Sequence, residues 1–282
     1  MKKLVYFIFF MNFLNKGLGQ VTNLTSGLWS NSAIWSNNHV PESTDSVFLS
    51  ADLIVDINGN CRALNQNGHT LTVNPGIIFN IIGNNVVAID IDNTVYHTVT
   101  IDTQVWIKEN VTVSRYRNGD TIPQVTDSAQ WILLTTGAWC WYKNDSATYA
   151  ATYGKLYNWY AVTDPRGLAP QGWHMPRYEE WAALANYLGD YSSAGGKMKE
   201  AGNLHWQGSN VGATNSSGFT AIPSGYRNNG SFSNVGLGCY FWSTAPYSPT
   251  NGYANYLTSS SIELISVGIP KIGGYSVRCI KD

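Results

Sequence analysis

After Pro176 the chain places Trp181, Leu184, Ala185 and Leu188 at the three- and four-residue spacing of one helix face, and Gly189 stands where such a helix would close. Glu179 and Glu180 fall in its first turn, where unpaired backbone N–H groups favour negative charge. A second short helix is expected at 195–200. Elsewhere the pattern has the two-residue period of strands. Val95, His97, Val99 and Ile101 alternate with Tyr96, Thr98 and Thr100, and Trp106 and Ile107 continue that sheet. Trp139 and Trp141 alternate with Cys140 and Tyr142, which puts the two indoles on one face. Residues 239–244 are almost continuously bulky, as in a central strand, and 275–280 close the sheet.

Residues 21–89 have a different texture. Short β-prone runs at 47–49, 53–57, 71–73 and 77–82 are separated by Asn and Gly, and several start seven to about twelve residues apart. That interval suits the rungs of a small β-solenoid and also a plain sandwich. Cys61 beside Ala63 and Leu64 reads as a buried thiol. Turns are expected at Asn118–Gly119 and Asn229–Gly230, because hairpins favour Asn-Gly.

The first residues change the setting. Lys2 and Lys3, the apolar run from Leu4 to Met11, and Gly17 and Gly19 before Gln20 make 1–19 a secretory signal peptide. No second long apolar run follows, so no transmembrane segment is expected in the mature chain. The expected location is secreted, periplasmic or cell-surface. Only 12% of residues are charged and the net charge is −1, which gives no electrostatic reason for a nucleic-acid partner. The 11 Trp and 17 Tyr, with many Gly and Asn, suit a loop-rich extracellular β protein.

Several pieces carry a family resemblance: QVWIKEN at 104–110, YRNGDTIP at 116–123, TGAWCWYKND at 136–145, YGKLYNWYAV at 153–162, PQGWHMP at 170–176, GFTAIPSGYRNNGSF at 218–232 and YSVRCIKD at 275–282. In this order they resemble the Fibrobacter succinogenes major paralogous domain, over about 90–282. That family resembles, more distantly, the C-type-lectin-like and sulfatase-modifying-factor fold. The resemblance implies an α+β, C-type-lectin-like domain at 90–282, with irregular antiparallel strands and few helices. A small all-β, solenoid-like module at 20–89 precedes it. The family often has a cysteine just before its P-x-G-W run, as partner to the terminal cysteine; here that place is Ala169.

Three arrangements of the cysteines stay open: a Cys239–Cys279 bridge, a bridge that uses Cys140, or free thiols. Export favours the first, and it is the expectation here. No catalytic residues assemble by spacing: nucleophile elbow, zinc helix, phosphate loop and Cys-x-x-Cys pair are all missing. No metal and no cofactor are expected. His174, in an aromatic stretch from Tyr153 to Trp181, is the candidate buried polar hub. Trp139, Trp141, Trp206, Tyr226 and Asn228 are the candidate ligand contacts, since ring faces stack on sugar C–H groups and amides read hydroxyls. The expected function is binding or adhesion, with glycans or other envelope proteins as partners. An envelope structural module and an extracellular enzyme are the alternatives.

Overall fold

Strands far apart in the N-terminal sequence lie side by side in the computed structural model, which describes residues 20–42, 45–61, 63–65, 69–75, 77, 79–81 and 87–282. The expected signal peptide at 1–19 lies outside the described residues. The chain divides into two units, Met1–Asn85 and Val86–Asp282.

The first unit contains β1 (Gln20–Asn23), β2 (Gly27–Leu28), β3 (Ser46–Leu49), β4 (Leu53–Val55), β5 (Gly59–Cys61), β6 (Ala63–Asn65), β7 (Leu71–Val73) and β8 (Phe79–Ile81). They form the sheets β1-β3-β6, β2-β4-β7 and β5-β8, and every pairing between these strands is parallel. Gln20 pairs with Ser46 and Ser46 with Ala63, steps of 26 and 17 positions. Gly59 pairs with Phe79, a step of 20. One circuit of the chain therefore takes 17 to 26 residues. The shorter interval between apolar runs separates neighbouring faces of one circuit, not successive circuits. Val21, Trp29, Trp35, Val47, Leu53 and Cys61 fill the interior. Trp29 and Trp35 meet edge to face at 5.1 Å, and the Trp35 indole N–H donates to the Trp29 carbonyl at 3.1 Å.

In the second unit the strands are β9 (Ala88–Ile89), β10 (Val95–Tyr96), β11 (Thr98–Ile101), β12 (Gln104–Ile107), β13 (Trp139–Cys140), β14 (Leu156–Tyr157), β15 (Trp173–His174), β16 (Ser224–Asn228), β17 (Ser231–Val235), β18 (Gly238–Pro246), β19 (Asn251–Thr258), β20 (Ile265–Pro270) and β21 (Ile280–Lys281). The helices are short: α1 (Ser128–Trp131), α2 (Ser146–Tyr153), α3 (Trp159–Val162), α4 (Tyr178–Tyr187) and α5 (Ala194–Met198). The unit is thus a mixed α+β fold. Its larger sheets run β11-β12-β21-β15 and β17-β16-β18-β19-β20. The expected helix after Pro176 is α4, which buries Trp181, Leu184 and Ala185, and Gly189 follows it at φ +101. β18 is the central strand of the larger sheet, as its bulk suggested.

Each unit holds its own core, so we expect residues 86–282 expressed alone to fold. A cooperative thermal transition and a dispersed NMR spectrum would show it; a molten fragment beside a well-folded full chain would refute it.

The disulfide expectation is corrected. All four cysteines are buried and free. Cys239 packs with Trp106, Trp181 and Phe241, whereas Cys279 belongs to the cluster of Tyr157, Trp173 and Tyr275. A parallel bridge joins Phe241 to Ser276, which puts Cys239 two positions before it and Cys279 three beyond. Five positions along a strand is roughly 16 Å, well past the roughly 7 Å Cα separation that a disulfide tolerates.

Candidate functional site

The two faces of the five-stranded sheet receive different side chains. Along β18, Cys239 and Phe241 point one way and Tyr240 and Trp242 the other, as strand pleating requires. Cys239, Phe241 and Leu257 are buried in one cluster with Trp181, Leu184 and Ala185 of α4. On the opposite face Tyr226 of β16, Tyr240 of β18 and Tyr256 of β19 form a row across three neighbouring strands. Tyr226 and Tyr240 meet at 5.0 Å, and Tyr240 stacks on Tyr256 at 4.8 Å with an interplanar angle of 20°. All three are half-buried. Buried Tyr275 supports the row, 5.8 Å from Tyr226 and 5.2 Å from Tyr240.

Local backbone chemistry places this row. Gly225 adopts φ +65, and a Cβ there would lie 2.6 Å from the Ser233 carbonyl oxygen and 2.7 Å from the Tyr142 ring. Only glycine fits, and Tyr226 follows directly. Asn229 and Gly230, at φ 46 and φ 76, make the two-residue turn into β17. Asn228 closes β16 two positions after Tyr226, on the same face; its Oδ1 is buried and accepts no hydrogen bond among the described residues. Burial, with Tyr226 and Tyr256 nearby, pushes the Tyr240 phenol up to about 12. Tyr240 therefore stays neutral at ordinary pH, and although its ring is stacked on Tyr256 and flanked by Tyr226 and Tyr275, its phenolic hydroxyl can both donate and accept.

The other candidates lie elsewhere. Trp206 is 1% exposed, donates its indole N–H to the Ala221 carbonyl at 3.0 Å, and has the Lys199 ammonium 5.4 Å from its ring. Trp139 is buried, donates to the Ile122 carbonyl at 2.9 Å, and lies under the Lys155 ammonium at 3.7 Å. Neither can serve as an open platform, because both ring surfaces are taken up by the core. Half-buried Trp141 meets Trp139 edge to face at 5.3 Å, so the two do share a face. The five candidates do not surround one concavity. Tyr226 and Asn228 come together, and sequence reasoning missed their companions Tyr240 and Tyr256. The continuous bulk of 239–244 marked a strand, but only the pairing Tyr240↔Tyr256 aligns those two rings.

His174 is half-buried on β15. Its Nδ1 is 2.7 Å from Asp282 Oδ1 and its Nε2 is 2.8 Å from Glu180 Oε1. Glu180 also accepts the Arg177 backbone N–H at 2.7 Å, so the imidazole ties β15 to the start of α4. His97 is likewise bonded to Glu109 at 2.6 Å and His205 to Glu200 at 2.9 Å. Each of these histidines is hydrogen-bonded to a carboxylate, His174 to two. Among the described residues no group of three or more His, Cys, Asp or Glu could hold a metal ion, and no helix is long and apolar enough to cross a membrane.

A β-rich α+β unit with a half-buried aromatic row on a sheet face is compatible with a binding or structural role. Residues 99–281 match the Fibrobacter succinogenes major domain, and the chain belongs to that family. Neither the curated proteins nor the solved structures contain a match to the chain.

Proposed function

We propose that this is a secreted or cell-surface binding protein whose ligand is a glycan, held on the Tyr226–Tyr240–Tyr256 row. The row itself is the observation that carries the reading: three adjacent tyrosines, braced from beneath by Tyr275, at one level of a sheet. A tyrosine ring offers an apolar face and a polar tip together, at a low cost in side-chain entropy. Ring surface left uncovered by the stacking suits sugar C–H groups, and the phenolic hydroxyls and the Asn228 side-chain NH2 suit sugar hydroxyls.

A glycan array with the full chain, followed by titration of a hit, tests this. Tyr256→Ala and Asn228→Ala, each checked for intact folding by near-ultraviolet circular dichroism, should weaken binding at least about tenfold, or roughly 1.4 kcal/mol. Full-strength binding by both variants, or no binding to any glycan, would refute the proposal.

A further inference from the structure

A separate cavity of about 270 Å³ opens between residues 89–91, the 113–117 segment and the 168–171 loop. Its lining is mixed: Ile89 and Ile91 supply accessible apolar surface over the almost fully buried Val113 and Leu168, Gln171 is polar, and Asp90, Arg115 and Arg117 supply its charges. Arg115 is already paired, and Asp90 keeps its charge while held by neutral donors. Asp90 accepts the Asp92 and Thr94 backbone N–H groups, each at 2.9 Å, and the Tyr96 hydroxyl at 2.7 Å. Arg115 donates to Asp92 Oδ1 at 2.6 Å and to the Ile91 carbonyl at 3.1 Å.

Arg117 differs. Its Nε donates to the Ala169 carbonyl at 3.2 Å and its Nη2 to the Trp173 carbonyl at 3.0 Å. The guanidinium also lies against Gly167, where a Cβ would sit 3.4 Å from Cζ. The group is therefore fixed in place, yet among the described residues no carboxylate forms an ion pair with it. A positioned cation without an acid, beside a hollow with an apolar rim at Ile89 and Ile91, is complementary to a monoanion with an apolar body. A dianion fits less well, because Asp90 and Asp92 stand nearby.

We infer that this cavity binds a carboxylate carried on a compact aliphatic body, with the carboxylate on Arg117 and the body against Ile89 and Ile91. At roughly 25–30 Å³ for each non-hydrogen atom, the volume accommodates roughly ten such atoms. A branched aliphatic acid and the terminal residue of a peptide ending in leucine share this chemistry. The site is distinct from the tyrosine row and does not depend on glycan binding.

The test is calorimetric titration of the full chain with 4-methylpentanoate and with 4-methylpentanamide. The acid should bind and the amide should bind at least about tenfold more weakly. Arg117→Gln should abolish that preference. Arg117 also braces two backbone carbonyls, so Ile89→Glu serves as a second variant. Ile89 is half exposed at the cavity's edge, and a carboxylate there should repel the acid at least about tenfold without disturbing the core. Equal affinity for acid and amide, unchanged binding in Ile89→Glu, or no binding of the acid up to about 10 mM would overturn the inference. A peptide with a free terminal leucine, compared with its terminal amide, then identifies the source. Carboxylate-dependent peptide binding assigns the site to peptide termini. Binding of the free acid alone assigns it to small acids.

Discussion

Replacing Arg278 by alanine is expected to leave the second unit close to unfolded at room temperature. The guanidinium is fully buried and makes four hydrogen bonds: to Asn110 Oδ1 at 2.8 Å, to the Ile107 and Phe219 carbonyls at 3.1 Å each, and to the Thr220 carbonyl at 3.2 Å. It also lies over the rings of Phe219 and Phe241, at 4.9 and 5.4 Å. Burial pulls its pKa down to about 10, while Glu109 works in the opposite sense, so it remains a cation at neutral pH. Alanine would strand four acceptors and leave a cavity among aromatic rings. Each stranded buried acceptor costs about 1–3 kcal/mol, against a total domain stability of about 5–15 kcal/mol. Lysine keeps the charge but cannot match the planar fork, so Arg278→Lys should fall between parent and alanine. Urea unfolding followed by tryptophan fluorescence measures both. An alanine variant within about 1 kcal/mol of the parent would show that the network is not what holds these segments.

The reason Arg278 matters extends to the whole unit. Much of the unit is loop, and loops leave backbone carbonyls without ladder partners. Buried cations take up that role. Lys199 donates to the carbonyls of Val211, Thr258 and Ser261 at 2.8–2.9 Å, and Arg227 to those of Val125 and Thr126 at 2.8 and 2.9 Å. Arg227 also lies 4.4 Å from the centre of the Trp131 ring, which buries its flat face. In a chain with few charges, these cations act as fasteners between segments distant in sequence.

That arrangement explains what the sequence could reveal. The helix from Tyr178 was legible because its period is local and its end is marked by Gly189. The turn at Asn229–Gly230 was legible for the same reason. The partners of Arg278 were hidden, because Asn110, Phe219 and Thr220 reach it only through tertiary structure. The tyrosine row was half visible: Tyr226 stood out, but Tyr240 and Tyr256 join it through cross-strand register, which no local period encodes. The disulfide expectation failed at the same step. Two cysteines in core strands looked like partners, yet register and opposite clusters keep them apart. In the first unit the apolar runs were visible, but their interval did not reveal that one circuit spans several of them.

Those free thiols give the second large effect, a steep loss of stability in alkaline solution. Burial pushes the Cys140 and Cys239 thiols from 9.0 up to about 12, and it raises Cys61 and Cys279 as well. Above pH 9 the unfolded chain sheds these protons while the folded chain keeps them. Their contribution is therefore intact below pH 9 and falls as pH climbs towards 12, by about 1.4 kcal/mol per pH unit for each thiol. For Cys140 and Cys239 this amounts to about 4 kcal/mol each across that window. Lys155 and Lys199, pulled down by burial from 10.5 to about 8, act in the opposite sense. They add stability between pH 8 and 10.5 and soften the early part of the decline. Above pH 10 the buried tyrosines join the thiols, since burial raises Tyr96, Tyr157 and Tyr275 too. Stability should therefore rise between about pH 8 and 9, where only the lysines titrate, and collapse above about pH 10, where thiols and tyrosines outweigh them. Urea unfolding at half-unit steps from pH 7.5 to 11 should trace this profile. Cys140→Ala and Cys239→Ala should each lose some stability at pH 7 yet flatten the decline above pH 9 by about 1.4 kcal/mol per pH unit. Without reductant, a thiol reagent should find no reactive group in the native chain and four after unfolding, one for each buried cysteine. An unaltered alkaline slope in both variants, or fewer than four thiols on unfolding, would contradict the buried, unpaired state of these cysteines.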